Sequence, residues 1–497
     1  MSDDGGKDTD DLWKGAHEVK LPSGNAILQV QGIGSPTRTV FARICAPVSE
    51  ESSVVVDASS YTVQQILHII LQEIQPETNA IPNNLDAEEL LGLGSIWRLS
   101  KTAHHQSKWK RTRLFQQNAM DQVSYYCGAS SANTRKHNKG AEESLRVHYC
   151  PSRFPAVAFV DWTLPLMQHT TIQSAAQTQP PTAIQHYDPE FGFCVVHKPS
   201  GLPSHATVDN GVENVLYSIQ QQQQQFQRQH NNKKCSLPQR LDIDTEGLLV
   251  VAMRSEFASF MGRLLQDKTL LQNSNNDNND GNRTTSGIHK QYKCLLRVPN
   301  TKARESLIQQ YYRHNDSKQS LVIHYTDPKS AAPKPFVLEP RIGWQQCALR
   351  IIEVGPIGTL QGSCNKHNNN TQEEEKVMEV TVELLTGRTH QIRGQFAALN
   401  LPLVGDLLYY CNNMNGKPQQ PQSGDSTWDK VRNRGVQDAQ DYSPHPPVVL
   451  ALQCCSLSFP KPKWDSTPRG RRVLVPDDSK EVCSFALDRA WWSDLVG

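Results

Sequence analysis

The carboxylate of Asp242 is the group in this chain whose position most strongly suggests chemistry. Residues 240–247 read Arg-Leu-Asp-Ile-Asp-Thr-Glu-Gly, and the apolar run Leu-Leu-Val-Val-Ala follows at once. Such a run is typical of a strand buried on both faces, so the acidic group stands on a tight turn that enters a buried strand. Arg240, two residues earlier, can keep the carboxylate ionised. We therefore take Asp242 as the candidate catalytic residue.

Three further blocks place polar side chains at the ends of predicted elements. Phe-Cys-Val-Val-His-Lys-Pro-Ser-Gly-Leu-Pro predicts a buried strand that ends at Lys198 in a Pro/Gly turn. Lys-Gln-Tyr-Lys-Cys-Leu-Leu predicts a strand that begins near Tyr292. Thr-Gly-Arg-Thr-His-Gln-Ile-Arg predicts a strand-to-helix turn at Arg388, with Thr389 as the N-cap of the helix. All four blocks lie in one predicted domain, separated by polar insertions.

The order of these blocks points to a family. Lys-Pro-x-Gly-Leu-Pro, Arg-Leu-Asp-x-x-Thr-x-Gly-Leu and Gly-Arg-Thr-His-Gln-Ile-Arg together resemble the pseudouridine synthases of the RluA type, which isomerise chosen uridines in ribosomal or transfer RNA. The resemblance covers roughly residues 187–459. It implies an α/β (α+β) catalytic domain with a mixed, mostly antiparallel sheet and a central RNA cleft. It also implies an enzyme that cleaves the N-glycosidic bond of uridine and rejoins the base through C5.

The resemblance assigns three catalytic roles. Asp242 falls on the essential aspartate, Tyr292 on the tyrosine of the Lys-x-Tyr block, and Arg388 on the arginine that pairs with the catalytic carboxylate. A base stacked over Asp242 desolvates it and raises its pKa, so a close Arg388 is needed to hold the charge. Tyr292 stacks on the uracil and helps to remove the C5 proton. One carboxylate suffices without metal or cofactor, and whether it attacks the sugar, adds to the base or removes a sugar proton stays open.

Basic side chains beside the site and in the N-terminal half are candidates for RNA contacts. A stacked uridine must be flipped out of the RNA, and Arg240 can fill the vacated space or hold a phosphate. Lys198 either contacts a phosphate or closes its turn by a salt bridge, and His390 is favoured as a structural hydrogen-bonding residue. The RNA-binding candidates are Arg240, Lys198, His390, Arg393, Lys108, Lys110 and Arg111.

Three positions depart from the family pattern. Gln239 stands where the family usually has histidine before Arg-Leu-Asp, and Glu246 stands where it usually has serine after the threonine. Gln453, in the block that resembles the closing strand, replaces a common histidine. Neither Gln239 nor Glu246 changes the carboxylate itself. The first two can alter how the turn meets RNA, so they leave substrate choice more open than activity.

Two other classes of protein remain as alternatives. Asp242 and Asp244 form an Asp-x-Asp pair that could bind Mg²⁺ for phosphoryl transfer, although no phosphate-binding glycine loop accompanies it; loss of activity with chelator would favour this class. The chain could also be an RNA-binding or folding factor that retains the fold without turnover. The Asp242, Tyr292 and Arg388 set argues against that, because a binder has no need for a carboxylate near phosphates.

Composition divides the chain into five regions. Residues 1–55 predict an acidic, partly disordered segment, and 56–160 an accessory RNA-binding region with a basic insertion, which resembles the small S4-type module. Residues 161–186 predict a linker, 187–475 the catalytic domain with insertions near 220–234, 272–289, 361–376 and 411–447, and 476–497 a tail. Within the accessory region, Thr62-x-x-Gln65 predicts a capping box and a helix, and a second short helix follows over residues 85–91.

The overall charge and the cysteines constrain partners and compartment. The net charge is +1, so only local patches such as Lys101 to Arg113 and Lys461 to Arg472 suit a phosphate backbone. The twelve cysteines form no CxxC pair and no zinc-ligand spacing, which indicates a reducing compartment. No apolar run is long enough for a membrane helix, and no targeting peptide is evident. We expect a monomer that acts on transfer or ribosomal RNA in the cytoplasm or nucleus.

Overall fold

The computed structural model divides the chain into two units, which are described separately. Unit 1 holds the described residues up to 153 together with 206–213, and unit 2 holds the other described residues. The structure describes residues 13–22, 26–33, 38–45, 61–78, 85–101, 110–123, 125–126, 142–163, 183–226, 235–273, 287–299, 301–311, 321–330, 333–360, 375–406, 408–409 and 450–496. Within them, no helix is long and apolar enough to cross a membrane.

Unit 1 is a sheet with helices on one face. In its described residues the strands follow the order β1-β2-β3-β7-β4-β5 with antiparallel pairing, and β6 pairs in parallel with β3. The strands are β1 (His17–Lys20), β2 (Ile27–Gln31), β3 (Thr39–Cys45), β4 (Ile96–Lys101), β5 (Lys110–Leu114), β6 (Tyr125–Tyr126) and β7 (Glu142–His148). The helices are α1 (Val63–Thr78) and α2 (Ala87–Leu93).

Capping interactions define where these helices begin. Gln65 N donates to Thr62 Oγ1 and Thr62 N donates to Gln65 Oε1, which confirms the predicted capping box. Asp86 and Glu89 form a second box at the start of α2, and Gly94 ends that helix with φ 65°. The apolar stripe of α1 then packs on alternate residues of the strands.

The first predicted boundary differs from the structure. The sequence predicts a partly disordered segment over residues 1–55, but its described residues include β1, β2 and β3. The reason is the period-two burial of Leu28, Val30, Val40, Ala42 and Ile44 against the helices. The acidic stretch before residue 13 lies outside the described residues. The resemblance of this region to the S4-type module stays a prediction.

The buried His148 gives unit 1 an expected pH dependence. Burial lowers the pKa of His148 from 6.5 to about 4, with the Arg146 charge acting in the same direction. The unfolded histidine therefore binds a proton as the pH falls through 6.5, whereas the folded one stays neutral until about pH 4. We expect this difference to reduce the free energy of unfolding by up to about 3 kcal/mol across that window, with no such loss above it.

Denaturant unfolding of wild type and His148→Gln at a series of pH values measures this contribution. The carboxylates titrate in the same window, so the informative quantity is the difference between the two proteins. The variant should show the shallower slope. Equal slopes would contradict the assignment to His148.

Unit 2 is built on one large sheet. Its described strands follow the order β13-β12-β14-β15-β11-β16-β10-β9-β8, with β19 also paired to β16 and with β17 and β18 forming a separate hairpin. The strands are β8 (Ile184–Asp188), β9 (Phe193–Lys198), β10 (Glu246–Ala252), β11 (His289–Arg297), β12 (Leu321–Thr326), β13 (Phe336–Val337), β14 (Gln345–Thr359), β15 (Lys376–Leu384), β16 (Leu452–Pro460), β17 (Pro462–Ser466), β18 (Arg472–Pro476) and β19 (Val482–Ala486). The helices are α3 (Val215–Phe226), α4 (Ser255–Asn273), α5 (Thr301–Tyr311) and α6 (Gln391–Ala398).

The pairing is antiparallel throughout this sheet except between β10 and β16. The mixed, mostly antiparallel sheet predicted from the family resemblance is therefore present. β10 is buried along its whole length, as predicted for the run after Asp242. The core joins the strands to α4 through Phe193, Phe257 and Phe459.

Two other sequence boundaries need correction. The glutamine run at 220–225, predicted as a solvated insertion, lies in α3, where Gln223 is buried against Cys235. Residues 476–497, predicted as a tail, contain β19 and the buried Trp492, whose Nε1 donates to Glu379 at 2.8 Å. Apolar contacts with the sheet order both segments, and composition alone does not register such contacts.

Gly247 is the residue that allows the parallel pair to form. It faces Cys454 across β10 and β16 and adopts φ 120°. A Cβ at this position would lie under 3.0 Å from the backbone N, C and O of Cys454. The glycine of the Thr-x-Gly motif therefore lets two backbones approach at the strand end that follows Asp242.

Gly247→Ala is accordingly expected to lower the free energy of unfolding by about 3 kcal/mol or more, because it combines a strained φ with a backbone clash. Gly262→Ala is the matched control, since a Cβ on that α4 residue meets nothing within 4 Å. The control should be neutral or stabilising by up to about 1 kcal/mol. The free energy of unfolding of both variants is measured by urea denaturation. Equal losses of stability in Gly247→Ala and Gly262→Ala would refute the packing argument.

Candidate active site

The turn that carries Asp242 is held by the loop after β9. Ser204 Oγ donates to Leu241 O at 2.7 Å, and Ser200 Oγ donates to Asp244 O at 2.7 Å. Gly201 N donates to Ile243 O at 2.9 Å. The Lys-Pro-Ser-Gly-Leu-Pro block thus satisfies the carbonyl groups on both sides of Asp242. The carboxylate stands on a backbone that is fixed before any substrate arrives.

Lys198 holds the loop after β9 against the turn that carries Asp242. Its side chain is fully buried, and Nζ donates to Pro199 O, Leu202 O and Ile243 O at 2.8–2.9 Å. These three bonds use every donor of the ammonium. The structure therefore corrects the prediction that Lys198 contacts RNA or closes the turn by a salt bridge: it closes the turn through carbonyl groups. Burial lowers the pKa of Lys198 to about 7 despite the nearby Asp244.

The second part of the site is the turn between β15 and α6. Gln391 Oε1 accepts from Arg388 N and from Thr386 Oγ1, at 3.1 and 2.8 Å. The N-cap position belongs to His390, which adopts φ 56°, and not to Thr389 as the sequence predicts. A left-handed histidine is unusual, and the turn before it is held by the Gln391 side chain, which accepts from Arg388 and Thr386.

This turn brings His390 to the carboxylate. His390 Nε2 lies 4.0 Å from Asp242 Oδ2, and both side chains are mostly buried. Burial lowers the pKa of His390, although the Asp242 charge opposes the shift. The imidazole is therefore neutral at neutral pH. His390 forms part of the wall beside Asp242, which agrees better with a structural role than with direct RNA binding.

The arginine beside the carboxylate differs from the predicted one. Between the described side chains of Asp242 and Arg388 there is no ion pair within 4.0 Å. Arg388 lies near Cys347 instead, whose pKa its charge lowers against the effect of burial, and its Nε is buried without a hydrogen-bond partner in the described residues. We therefore correct the predicted Arg388–Asp242 pair, because the strand-to-helix turn places Arg388 towards β14.

Arg393, on α6, is the arginine whose pKa responds to the charges of Asp242 and Asp244. Its Nε and Nη2 donate to Asp406 Oδ2 and Oδ1, both at 2.8 Å, in a bidentate pair. Asp406 is 0% exposed at its side chain, and the pKa of Arg393 is raised by Asp406, Asp244 and Asp242 against desolvation by burial. Arg393 is too buried and too fully paired for the RNA-binding role predicted for it. Its position fits support of the carboxylates.

Tyr292 lies on β11 opposite Cys454. The ring is buried, and burial raises the pKa of its hydroxyl well above 10, with Cys454 and Asp242 acting in the same direction. The hydroxyl is also hydrogen-bonded to the Cys454 sulfur. Tyr292 is therefore a neutral phenol near the Asp242 charge, suited to packing against a base and poorly suited to accept a proton as a phenolate.

Arg240 remains available at the surface. Its side chain is exposed, and Nη2 donates to Thr389 Oγ1 at 3.4 Å. This contact links the Asp242 turn to the α6 turn and leaves the other guanidinium donors for a ligand. Lys110 and Arg111 lie on β5 of unit 1, and Lys108 lies outside the described residues.

Sequence reasoning missed Asp406 and Tyr409. Asp406 accepts the backbone N–H groups of Leu408 and Tyr409 as well as Arg393. The Tyr409 ring packs edge-on against His390, with centroids 5.8 Å apart. The only signal was the Pro-Leu-Val-Gly-Asp block, which gave no hint that its aspartate reaches α6.

The three family departures have distinct surroundings. Glu246 Oε1 accepts from Gln453 Nε2 at 3.1 Å and lies 2.8 Å from His197 Nε2, so two departures pair with each other across β10 and β16. Gln239 is buried, and neither of its amide atoms has a hydrogen-bond partner in the described residues. Among those residues no group of three His, Cys, Asp or Glu side chains could hold a metal ion.

The described part of the site is a mixed sheet with an aspartate on a fixed turn, a buried tyrosine and an arginine on a helix, and this region resembles a known family. The family model for RNA pseudouridylate synthase matches residues 192–398. This matched region contains Lys198, Asp242, Tyr292 and Arg393, and the resemblance predicted from the sequence motifs is confirmed.

Curated relatives carry the same family name. RNA pseudouridine synthase 6, chloroplastic, from Arabidopsis thaliana is 23% identical over 366 residues, covering 70% of this chain and 60% of that protein. The protein of the same name from Oryza sativa subsp. japonica is 24% identical over 274 residues, covering 53% and 44%. The chain thus spans less than two thirds of either relative. Its predicted cytoplasmic or nuclear location is not confirmed by these names and stays a prediction.

Among solved structures, human RNA pseudouridylate synthase domain containing 1 superposes with a TM-score of 0.30 at 17% identity, covering 63% of this chain and 94% of that chain. Human RNA pseudouridylate synthase domain containing 4 gives a TM-score of 0.32 at 15% identity, covering 60% and 88%.

Proposed function

We propose that this protein is an RNA pseudouridine synthase in which Asp242 is the essential catalytic residue. The observation that carries the proposal is the Asp242 carboxylate itself: its turn is held by Lys198, Ser200 and Ser204, and it stands beside His390 in the family-matched region. The substrate is a uridine within RNA, with ribosomal and transfer RNA as the candidate classes. No cofactor or metal takes part in the proposed chemistry.

The charges around Asp242 leave its carboxylate reactive. Arg393 is neutralised by its bidentate partner Asp406, and His390 is neutral at neutral pH. Within the described residues, Asp242 has no lysine or arginine within 4.0 Å, and the neutral His390 lies at that distance. The Asp244 and Asp242 charges help to raise the pKa of Arg393 against desolvation by burial, so the guanidinium and these carboxylates attract one another. Arg393 and Asp406 thus act as positioning residues.

The reaction is an isomerisation whose atoms balance within the uridine. The N1–C1′ bond breaks, the uracil rotates, and a C5–C1′ bond forms; C5 then loses its proton to solvent while N1 gains one. Asp242 attacks C1′, adds to the base or removes a sugar proton, and these three routes remain open. Tyr292 packs on the base as a neutral phenol, so the C5 proton leaves to Asp242 or water and not to a phenolate.

Arg240 is proposed to act at the mouth of the site. Flipping a uridine out of its stack costs a few kcal/mol, which an inserted or phosphate-bound side chain can offset. Arg240 is exposed and next to the carboxylate turn, so it suits this role without being part of the bond-making steps.

Release of tritium from RNA labelled at C5 of uracil tests the proposal, because each turnover replaces the C5–H bond. Purified protein should release tritium from transfer or ribosomal RNA transcripts and leave pseudouridine in the digested product. Activity should persist in chelator, since metal-dependent phosphoryl transfer is the rival class. Absence of pseudouridine in both RNA classes would favour a binding or folding factor and overturn the proposal.

A further inference from the structure

The sheet of unit 1 has two chemically different faces. Alternate residues of β4, β5 and β7 point to opposite sides, and Ile96, Leu114 and Val147 on one side are buried in the core with the helices. The opposite side carries another row: Trp97 lies between Arg113 and Arg146, and Leu99 lies beside Arg111. We call the side defined by Phe41, Trp97, Arg111, Arg113 and Arg146 the arginine face.

The arginine face holds positive charges side by side. Arg111 contributes to lowering the pKa of Arg146, after desolvation by burial, so the two guanidinium groups are close enough to repel. Neither arginine has a carboxylate within 4.0 Å among the described residues. Arg146 Nε is buried without a hydrogen-bond partner in that part of the chain. Like charges held together in this way favour an anionic ligand.

Aromatic rings accompany these charges. Arg146 lies over the Phe41 ring at 5.6 Å, and Arg113 lies over the Trp97 ring at 4.4 Å. The donors of Arg113 reach carbonyl oxygens of Gly94, Thr207 and Val208. Burial lowers the pKa of Arg113 to about 10, and the nearby Asp209 charge opposes that shift. Phe41 and Trp97 are both partly exposed. Guanidinium groups next to accessible rings are the combination that binds a phosphate backbone with an occasional stacked base.

The other side of the same strands shows the contrast. Arg98, one residue after Trp97, pairs with Glu143 at 2.6 Å and with Asp121 at 3.8 Å. Within the described residues, an arginine on the helix-covered side is therefore paired with carboxylates, whereas Arg111 and Arg146 on the opposite side have no carboxylate within 4.0 Å. An unneutralised cluster confined to one face is difficult to explain by structural needs alone.

We propose that the arginine face of unit 1 is an RNA-binding surface that contacts the phosphate backbone through Arg111 and Arg146. This inference rests on the proposed function for its choice of polyanion. It also divides the basic segment predicted from the sequence, because strand alternation places Arg111 on this face and Lys110 on the other. Only Arg111 of that pair contributes to binding.

Charge reversal at these two neighbours provides a matched test. Arg111 and Lys110 are both exposed on β5, so Arg111→Glu and Lys110→Glu should both fold. Binding of the full chain to fluorescently labelled transfer RNA and ribosomal RNA transcripts is measured by anisotropy over a series of salt concentrations. We expect Arg111→Glu to weaken binding at least about tenfold and to lower the slope of log K against log salt by about one.

The control Lys110→Glu should change affinity less than about threefold and leave the salt slope unchanged. Arg146→Gln, checked for folding by its unfolding midpoint, should weaken binding in the same direction as Arg111→Glu. Equal losses for Lys110→Glu and Arg111→Glu, or an unchanged salt slope in Arg111→Glu, would overturn the proposed surface.

The outcome is separable from that of the proposed function. If the Arg111→Glu protein forms pseudouridine and binds RNA like wild type, the proposed RNA-binding surface is contradicted and the proposed activity is supported. If RNA binding depends on Arg111 but the protein makes no pseudouridine, the proposed surface is supported and the proposed activity is contradicted. A chain that binds neither RNA class contradicts both.

Discussion

Asp242→Asn is expected to abolish pseudouridine formation while leaving a folded protein that still binds RNA. The amide keeps the size of the side chain but lacks the negative charge that every route open to Asp242 requires. Removal of an essential nucleophile or base typically costs at least about 10⁴-fold in turnover. Tritium release in single-turnover conditions with excess enzyme gives the necessary range.

The fold should tolerate this change because the turn is held by backbone carbonyls of its neighbours and not by the Asp242 carboxylate. The side chain is 27% exposed, so we expect the free energy of unfolding to change by less than about 1 kcal/mol. Asp244→Asn serves as the control, since it removes the other carboxylate of the Asp-x-Asp pair. Residual activity of Asp242→Asn near that of the control would refute the catalytic assignment.

Arg393→Met is expected to have the largest effect on stability. It leaves the fully buried Asp406 carboxylate without its bidentate partner, and breaking a buried pair from one side costs about 3 to 5 kcal/mol. For a domain of this size the unfolding midpoint should fall by roughly 10 °C. Activity should fall as well, because the variant lacks the buried guanidinium that attracts the Asp242 and Asp244 carboxylates.

Arg388→Met is the matched control, since it makes the same chemical change at the arginine that the sequence alone favoured. Arg388 has no ion pair with Asp242 in the described residues, so its loss should cost less than about 1 kcal/mol. The double variant Arg393→Met/Asp406→Asn should recover part of the stability, because it removes the unpaired charge. Greater destabilisation by Arg388→Met than by Arg393→Met would show that the paired arginine has been misassigned.

The contrast between these two arginines shows where sequence reasoning ends. Both belong to the Gly-Arg-Thr-His-Gln-Ile-Arg block, and the sequence locates that block on a strand-to-helix turn correctly. Which arginine faces the aspartate depends on the left-handed His390 and on Gln391, which redirect the chain before α6 begins. The Gln391 side chain holds this turn from inside α6. Such a contact does not change the apolar periodicity of the sequence, so the sequence pattern cannot reveal it.

Lys198 gives a second example of the same limit. The sequence predicts the Pro/Gly turn after β9 and the lysine at the end of the strand. The ammonium donates to backbone carbonyl groups of Pro199, Leu202 and Ile243. Every residue has a backbone carbonyl, so the sequence does not show which carbonyls accept these bonds. Nothing in the sequence therefore distinguishes a lysine that binds phosphate from one that holds two loops together.

The sequence by itself predicted an aspartate on a turn into a buried strand, the tyrosine and arginine blocks in order, and a resemblance to the pseudouridine synthases. Those features are local, since turn residues, apolar runs and short motifs act over a few residues. Only the tertiary structure decided that Arg393 pairs with Asp406, that Glu246 meets Gln453, and that Arg111 and Lys110 face opposite ways. Each depends on the register and direction of elements far apart in the chain, which packing sets after the elements form.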